Sequence, residues 1–181
     1  MKYLVISDVH GSSLYLETVL QKYQVGVFDG ILLLGDTLYH GPRNPLPDGY
    51  NCEAVFSSLN KLKDSIIAVK GNCDSEVDQM VLDFEMMSMQ KKLEFENLVV
   101  HLTHGHHELD MSTLVNGKTN LVLSGHTHIP VASKENELYY GNPGSISLPK
   151  GGFDNSYAIL TETSFIVHSL KSDKVICSVS W

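Results

Sequence analysis

Seven residues of metal-ligating type stand just beyond five apolar runs. Asp8 and His10 follow Tyr3-Leu4-Val5-Ile6, and Asp36 follows Ile31-Leu32-Leu33-Leu34-Gly35. Asn72 follows Ile66-Ile67-Ala68-Val69, His104 follows Leu98-Val99-Val100, and His126 and His128 follow Leu121-Val122-Leu123. Carboxylate, imidazole and amide donors without clustered thiolates disfavour structural zinc and suit an open catalytic centre for Mn²⁺, Fe²⁺, Zn²⁺ or Co²⁺. Seven donors are enough for two cations, and a pair of divalent cations about 3.5–4 Å apart suits phosphoester hydrolysis. Asp36 is the natural bridge between them. Each piece also has an ordinary reading. Asp-x-His arises by chance, an Asp after Gly at a strand end is usually a turn or cap, and His126 and His128 would share one side of any extended chain. Their shared position after five strands is what argues for one site.

The runs predict the elements that must carry these residues. Strands are expected at 2–7, 29–34 and 66–69, with helices at 12–24 (capped by Ser12 or Ser13, and followed by Gly26) and 51–63 between them. That alternation argues for parallel βαβ units, whose ligands gather beyond the carboxyl ends of the strands. Gly41, Pro42, Pro45, Pro47 and Gly49 make 38–50 a stiff loop directly after Asp36. The second half reads as mostly antiparallel β: strand material at 93–102, then 121–124, 130–134, 138–141, 145–148, 156–161, 164–169 and 174–180, with turns at 142–144 and 150–152. A two-sheet α/β sandwich with helices outside, forming a single domain over 1–181, accommodates both halves. His101 is expected within a strand, His107 at the surface, and His40 at the mouth of a cleft.

Composition narrows the partners. The chain has 181 residues and a net charge of −8, which argues against a long nucleic acid or a membrane surface as partner. Two bound divalent cations would still make one cleft attractive to anions. Three scattered cysteines without a CxxC, and an N-terminus that runs straight into a strand, fit a cytoplasmic protein. No apolar stretch approaches the roughly 18 residues of a membrane span.

Asp8-Val9-His10, Gly35-Asp36, Gly71-Asn72-Cys73-Asp74, Thr103-His104-Gly105 and Gly125-His126-Thr127-His128, in this order, resemble the calcineurin-like metallophosphoesterases. Asn142-Pro143-Gly144-Ser145 is similar to the family's turn after its last ligand block. The compact size and the Gly71–Asp74 block look most like the small YfcE-type phosphodiesterases, and residues 40–44 support that subgroup. The resemblance implies a four-layer α/β/β/α sandwich. It implies that Asp8, His10, Asp36 and His128 hold one cation and that Asp36, Asn72, His104 and His126 hold the other, with a hydroxide between them attacking phosphorus. Mn²⁺ is the expected ion, with Zn²⁺, Fe²⁺, Co²⁺ and Ni²⁺ as alternatives.

The chain departs from the family pattern at Cys73, where the family usually has a histidine placed to protonate the leaving oxygen. A neutral thiol, with a pKa of about 8.5, is a weak hydrogen-bond donor. Diesters, or esters with good leaving groups, are therefore the expected substrates; Cys73 could equally be a packing residue. Arg43, in the stiff loop, offers a fork that suits phosphate oxygens, or is simply solvated. The leading expectation is a phosphodiesterase acting on small phosphoesters. The alternatives are a phosphomonoesterase with the same core and a non-catalytic interaction scaffold, as in the retromer subunit that resembles this family. The β-rich half offers an edge on which a homo-oligomer could form.

Overall fold

A computed structural model describes residues 1–23 and 26–181. Strands β1 (Lys2–Ile6), β2 (Gly30–Leu33) and β3 (Ile66–Ala68) pair in parallel, connected by α1 (Ser13–Leu20) and α2 (Cys52–Asn60). Both helices start where a side chain can satisfy a free N–H: Ser12 Oγ accepts from Tyr15 N, and Asn51 Oδ1 from Ala54 N. Successive strand residues face opposite sides. Leu4, Ile6, Ile31 and Leu33 join Leu16, Val19, Val55 and Leu59 of the helices in one core, whereas Val5, Leu32 and Leu34 enter a second core between two sheets. Burial on both faces is why these runs are continuously apolar.

After α3 (Glu76–Val81) come β4 (Gln90–Glu94), β5 (Leu98–Thr103), β6 (Thr119–Leu123), β7 (Pro130–Glu135) and β8 (Leu138–Pro143), which form a sheet in the order β4-β5-β6-β8-β7. Strands β9 (Ser156–Thr161), β10 (Ser164–Ser169) and β11 (Val175–Ser180) return to the first sheet, giving β11-β10-β9-β1-β2-β3. Val100, Leu102, Leu121 and Leu123 face Leu160, Phe165 and Val167 across the interior. Two sheets flanked by helices are the expected architecture.

Several local expectations change. The first helix ends at Leu20, and position 24 of its expected span lies outside the described residues. The material at 93–102 breaks at residues 95–97, where Phe95 N donates to Leu98 O. Residues 145–148 are not a strand; Ile146 is buried as a loop residue. The second half is mostly antiparallel, as expected, through β4–β5, β7–β8, β9–β10 and β10–β11, but β5–β6 and β6–β8 are parallel pairs. Its β5-to-β6 connection carries a short 3-10 turn in place of a helix. Asn120 pins that segment through Val115 N and Val115 O, and the buried His101 ring contacts Asn120 Oδ1 and Thr113 Oγ1. Parallel strands deliver their following residues to one end, so β1, β2 and β3 from one sheet and β5 and β6 from the other converge there. Among the described residues no helix is long and apolar enough to cross a membrane.

Candidate metal centre

At that convergent end the chain turns sharply. Asp8, His10, Asp36, His126 and His128 all have positive φ, between 47° and 67°. Left-handed backbone at a residue other than glycine stores strain, and here it is concentrated at one site. It also corrects one expectation: His126 and His128 converge through left-handed turns and not through the alternation of an extended strand. Close approach sets the glycines between them. A Cβ at Gly71 would lie 2.1 Å from Asp36 Oδ1, and one at Gly125 would lie 1.9 Å from Ser7 Oγ.

The donor atoms follow one pattern. His10 Nδ1 meets Tyr39 O at 2.9 Å, His104 Nδ1 meets Leu34 O at 2.6 Å, and His128 Nδ1 meets Leu148 O at 2.5 Å. A carbonyl only accepts, so each Nδ1 carries the proton and each Nε2 turns inward. Nε2 of His10 and Nε2 of His128 then stand 3.3 Å apart. The carboxylates divide their oxygens in the same way. Asp8 Oδ2 accepts from Ser7 Oγ and His126 N, while Oδ1, fully buried and without a hydrogen-bond partner among the described residues, lies 3.3 Å from His128 Nε2 and 3.7 Å from His10 Nε2. Asp36 Oδ1 accepts from Cys73 N, and Oδ2 lies 3.4 Å from His104 Nε2 and 3.7 Å from His10 Nε2. Asn72 Oδ1 is 3.1 Å from His104 Nε2, and the His126 ring centre is 5.2 Å from that of His104. Lone pairs that face one another in a buried space suit a cation among them, so the residues present fit divalent metal ions. Asp8, His10 and His128 form one such group, and Asp8, Asp36 and His104 another.

Charge couples the groups. Burial works to raise the Asp36 carboxyl, but the hydrogen bond and charge of His104 outweigh it and hold the carboxyl at about 2. Burial likewise works to lower His104; contact with Asp36 and the charges of Asp8 and Asp36 prevail and raise it to about 9. The Cys73 thiol is pushed up to about 12 by burial and by the Asp36 charge, so it is protonated at neutral pH.

All seven expected ligands therefore meet at one end of the sandwich. Cys73 and Arg43 line the adjoining cleft, about 870 Å³ in volume, together with Lys150. His40 packs between the rings of Tyr39 and Tyr50, His101 is buried in β5, and His107 is exposed, the last two as expected. Sequence reasoning passed over the supports. The Asp74 carboxylate accepts from Asp36 N, Thr37 N and Gly71 N at 2.7–2.8 Å, tying the loop after β2 to the loop after β3. Ser145 and Ser147 hydroxyls both donate to Asp8 O, and Asn142 Nδ2 donates to Gly125 O and Thr127 Oγ1. The one available signal was the run of polar residues Asn142, Ser145 and Ser147; the expected turn at 142–144 begins inside β8, which extends to Pro143.

Comparison with known proteins agrees with this geometry. Residues 1–164 match the model of the calcineurin-like phosphoesterase superfamily domain. The chain is 39% identical over 180 residues to the phosphodiesterase YfcE of Escherichia coli K12, covering 99% of this chain and 98% of that one. A solved structure of the E. coli phosphoesterase Yfce superposes with a TM-score of 0.92 at 40% identity, over 99% of each chain. The probable metallophosphoesterase YsnB of Bacillus subtilis is 29% identical over 168 residues, 89% of this chain and 84% of that one. The chain belongs to the calcineurin-like phosphoesterase superfamily.

Proposed function

We propose that this chain is a phosphodiesterase that uses two divalent cations to hydrolyse a small phosphoester. Asp8, His10, Asp36 and His128 would hold one cation, and Asp36, Asn72, His104 and His126 the other. When bound, the cations supply Lewis-acid polarisation of the phosphoryl group and an acidified water. The observation that carries this reading is the division of each donor set: three imidazoles and two carboxylates each commit one atom to the protein and turn the other inward. A non-catalytic scaffold gains nothing from such an arrangement.

The protein's own groups do the rest. Asp74, Ser145 and Ser147 fix the backbone from which Asp36 and Asp8 project. Arg43 and Lys150 place positive charge on the cleft wall for the anionic ester. Cys73 offers only a weak S–H donor beside Asn72 Nδ2, 3.2 Å away. That favours a diester or an ester with a good leaving group over an alkyl monoester, which needs its alkoxide protonated. The carboxylate and amide oxygens of Asp8, Asp36 and Asn72 suit Mn²⁺ as the working ion. The full chain acts as one domain, and its scattered cysteines support a reducing, cytoplasmic setting. Aryl monoesters and diesters assayed side by side, after metal removal and Mn²⁺ re-addition, test the reading. Turnover of the diester in excess of the monoester is expected, and preferential turnover of the monoester overturns it.

A further inference from the structure

We propose that Cys73 is an additional ligand, recruited at this centre by thiophilic divalent cations such as Zn²⁺ and Cd²⁺ and left unused by Mn²⁺. The inference rests on the two-cation reading above. Cys73 Sγ has a donor atom of His10 and one of Asp36 as neighbours, all within 4.8 Å of one another. His10 Nδ1 is committed to Tyr39 O, so the ring presents Nε2 to this group. Sulfur of Cys73, nitrogen of His10 and oxygen of Asp36 make up this donor set, and the buried Asp8 Oδ1, without a hydrogen-bond partner among the described residues, stands 3.7 Å from the same Nε2. The sulfur is also held in place. Asn72 Nδ2 approaches it at 3.2 Å, Cys73 N is anchored on Asp36 Oδ1, and a Cβ at Gly41 would come to 3.0 Å from it. Cys73 lines the open cleft, so an entering cation meets the thiol.

Ligand softness decides which cation uses it. Thiolate is soft and favours Zn²⁺ and Cd²⁺, whereas Mn²⁺ is satisfied by carboxylate, imidazole and amide. In the recruiting step the S–H bond breaks, the sulfur electron pair goes to the cation, and the proton goes to bulk water; nothing is oxidised or reduced. The identity of the cation then sets the chemistry of the cleft. Under Mn²⁺ the S–H remains a donor towards a substrate oxygen, and under a thiophilic cation that donor is lost.

The test loads metal-free protein separately with Co²⁺, Cd²⁺ and Mn²⁺, and compares wild type with Cys73→Ser and Cys73→Ala in a background carrying Cys52→Ser and Cys177→Ser. A sulfur-to-cobalt charge-transfer band in the near ultraviolet is expected in wild type and in that background. It should vanish in both Cys73 variants although they bind the same equivalents of Co²⁺. Cd²⁺ affinity should fall by about tenfold or more, the low end of what disturbing a metal site costs, while Mn²⁺ affinity is unchanged. The proposal is overturned if the band survives Cys73→Ser, if Co²⁺ binds without a band, or if Cd²⁺ and Mn²⁺ affinities fall equally. A wild-type protein that takes up neither Mn²⁺ nor Co²⁺ would instead sink the two-cation reading beneath it.

Discussion

Asp36 Oδ2 lies 3.4 Å from His104 Nε2, the ring whose other nitrogen is fixed on Leu34 O. Without metal the proton stays on the imidazole and the two groups form an ion pair: the carboxyl falls to about 2 and the imidazole rises to about 9. A cation taking that place must expel the proton. Metal uptake near pH 7 should therefore release a proton, and affinity should climb as pH rises towards 9. Calorimetry in buffers of different ionisation enthalpy measures the release; uptake without a proton would contradict the pairing.

The same pair shapes the stability of the metal-free protein. Asp36 contributes above its ordinary 3.8, and that contribution is lost as pH falls to about 2. His104 contributes below its ordinary 6.5, and that contribution is lost as pH rises through about 9. The pair's contribution to metal-free stability should be greatest between those ordinary values and decline on both sides. His104→Asn should flatten the alkaline limb in denaturant titrations at a series of pH values.

Asp74 braces the centre without facing it. Asp74→Asn keeps the shape but, with one oxygen replaced by NH2, sets a donor against Thr37 N or, in the other amide orientation, against Asp36 N and Gly71 N. A loss of roughly 1–3 kcal/mol is expected from the unsatisfied buried group, together with weaker Mn²⁺ binding. Urea unfolding and metal titration check both, and an unchanged Mn²⁺ affinity would refute the bracing role.

Sequence and structure agree where burial on both faces writes continuous apolar runs, as in β1, β2, β5 and β6, and where the metal-type residues after them share a setting. Helix α3 was not legible because it is only six residues long and its apolar residues, Val77, Met80 and Val81, face solvent, so no core contact marks it out. Residues 145–148 alternate like a strand, yet the alternation places Ser145 and Ser147 on Asp8 O and buries Ile146. The parallel pairing of β5, β6 and β8 was hidden because no helical crossover announces it. Asp74 escaped because its partners are backbone groups, which leave no mark in side-chain identity.

Cys73→His would restore a stronger proton donor beside Asn72. Alkyl-ester turnover should rise relative to aryl-ester turnover, with metal content unchanged. If alkyl turnover falls while both cations stay bound, Cys73 does not limit leaving-group protonation.

Phe165 is fully buried between the sheets, with its ring against Gly141. Phe165→Ala should cost about 3–5 kcal/mol by opening a cavity in the inter-sheet core. Thermal and urea unfolding read this directly; a cost below about 1 kcal/mol would mean the sheets close over the gap.

The central claim is a centre for two cations with Asp36 between them. The most direct measurement is the number of Mn²⁺ equivalents bound by wild type and by Asp36→Asn, read alongside turnover of an aryl phosphodiester. Wild type should bind two equivalents and be active. Asp36→Asn should lose at least one equivalent and, with it, more than about 99% of turnover, on the scale of removing a principal transition-state stabiliser. A wild type that turns over diester with no metal bound, or an Asp36→Asn protein that keeps both cations and full activity, would contradict the claim.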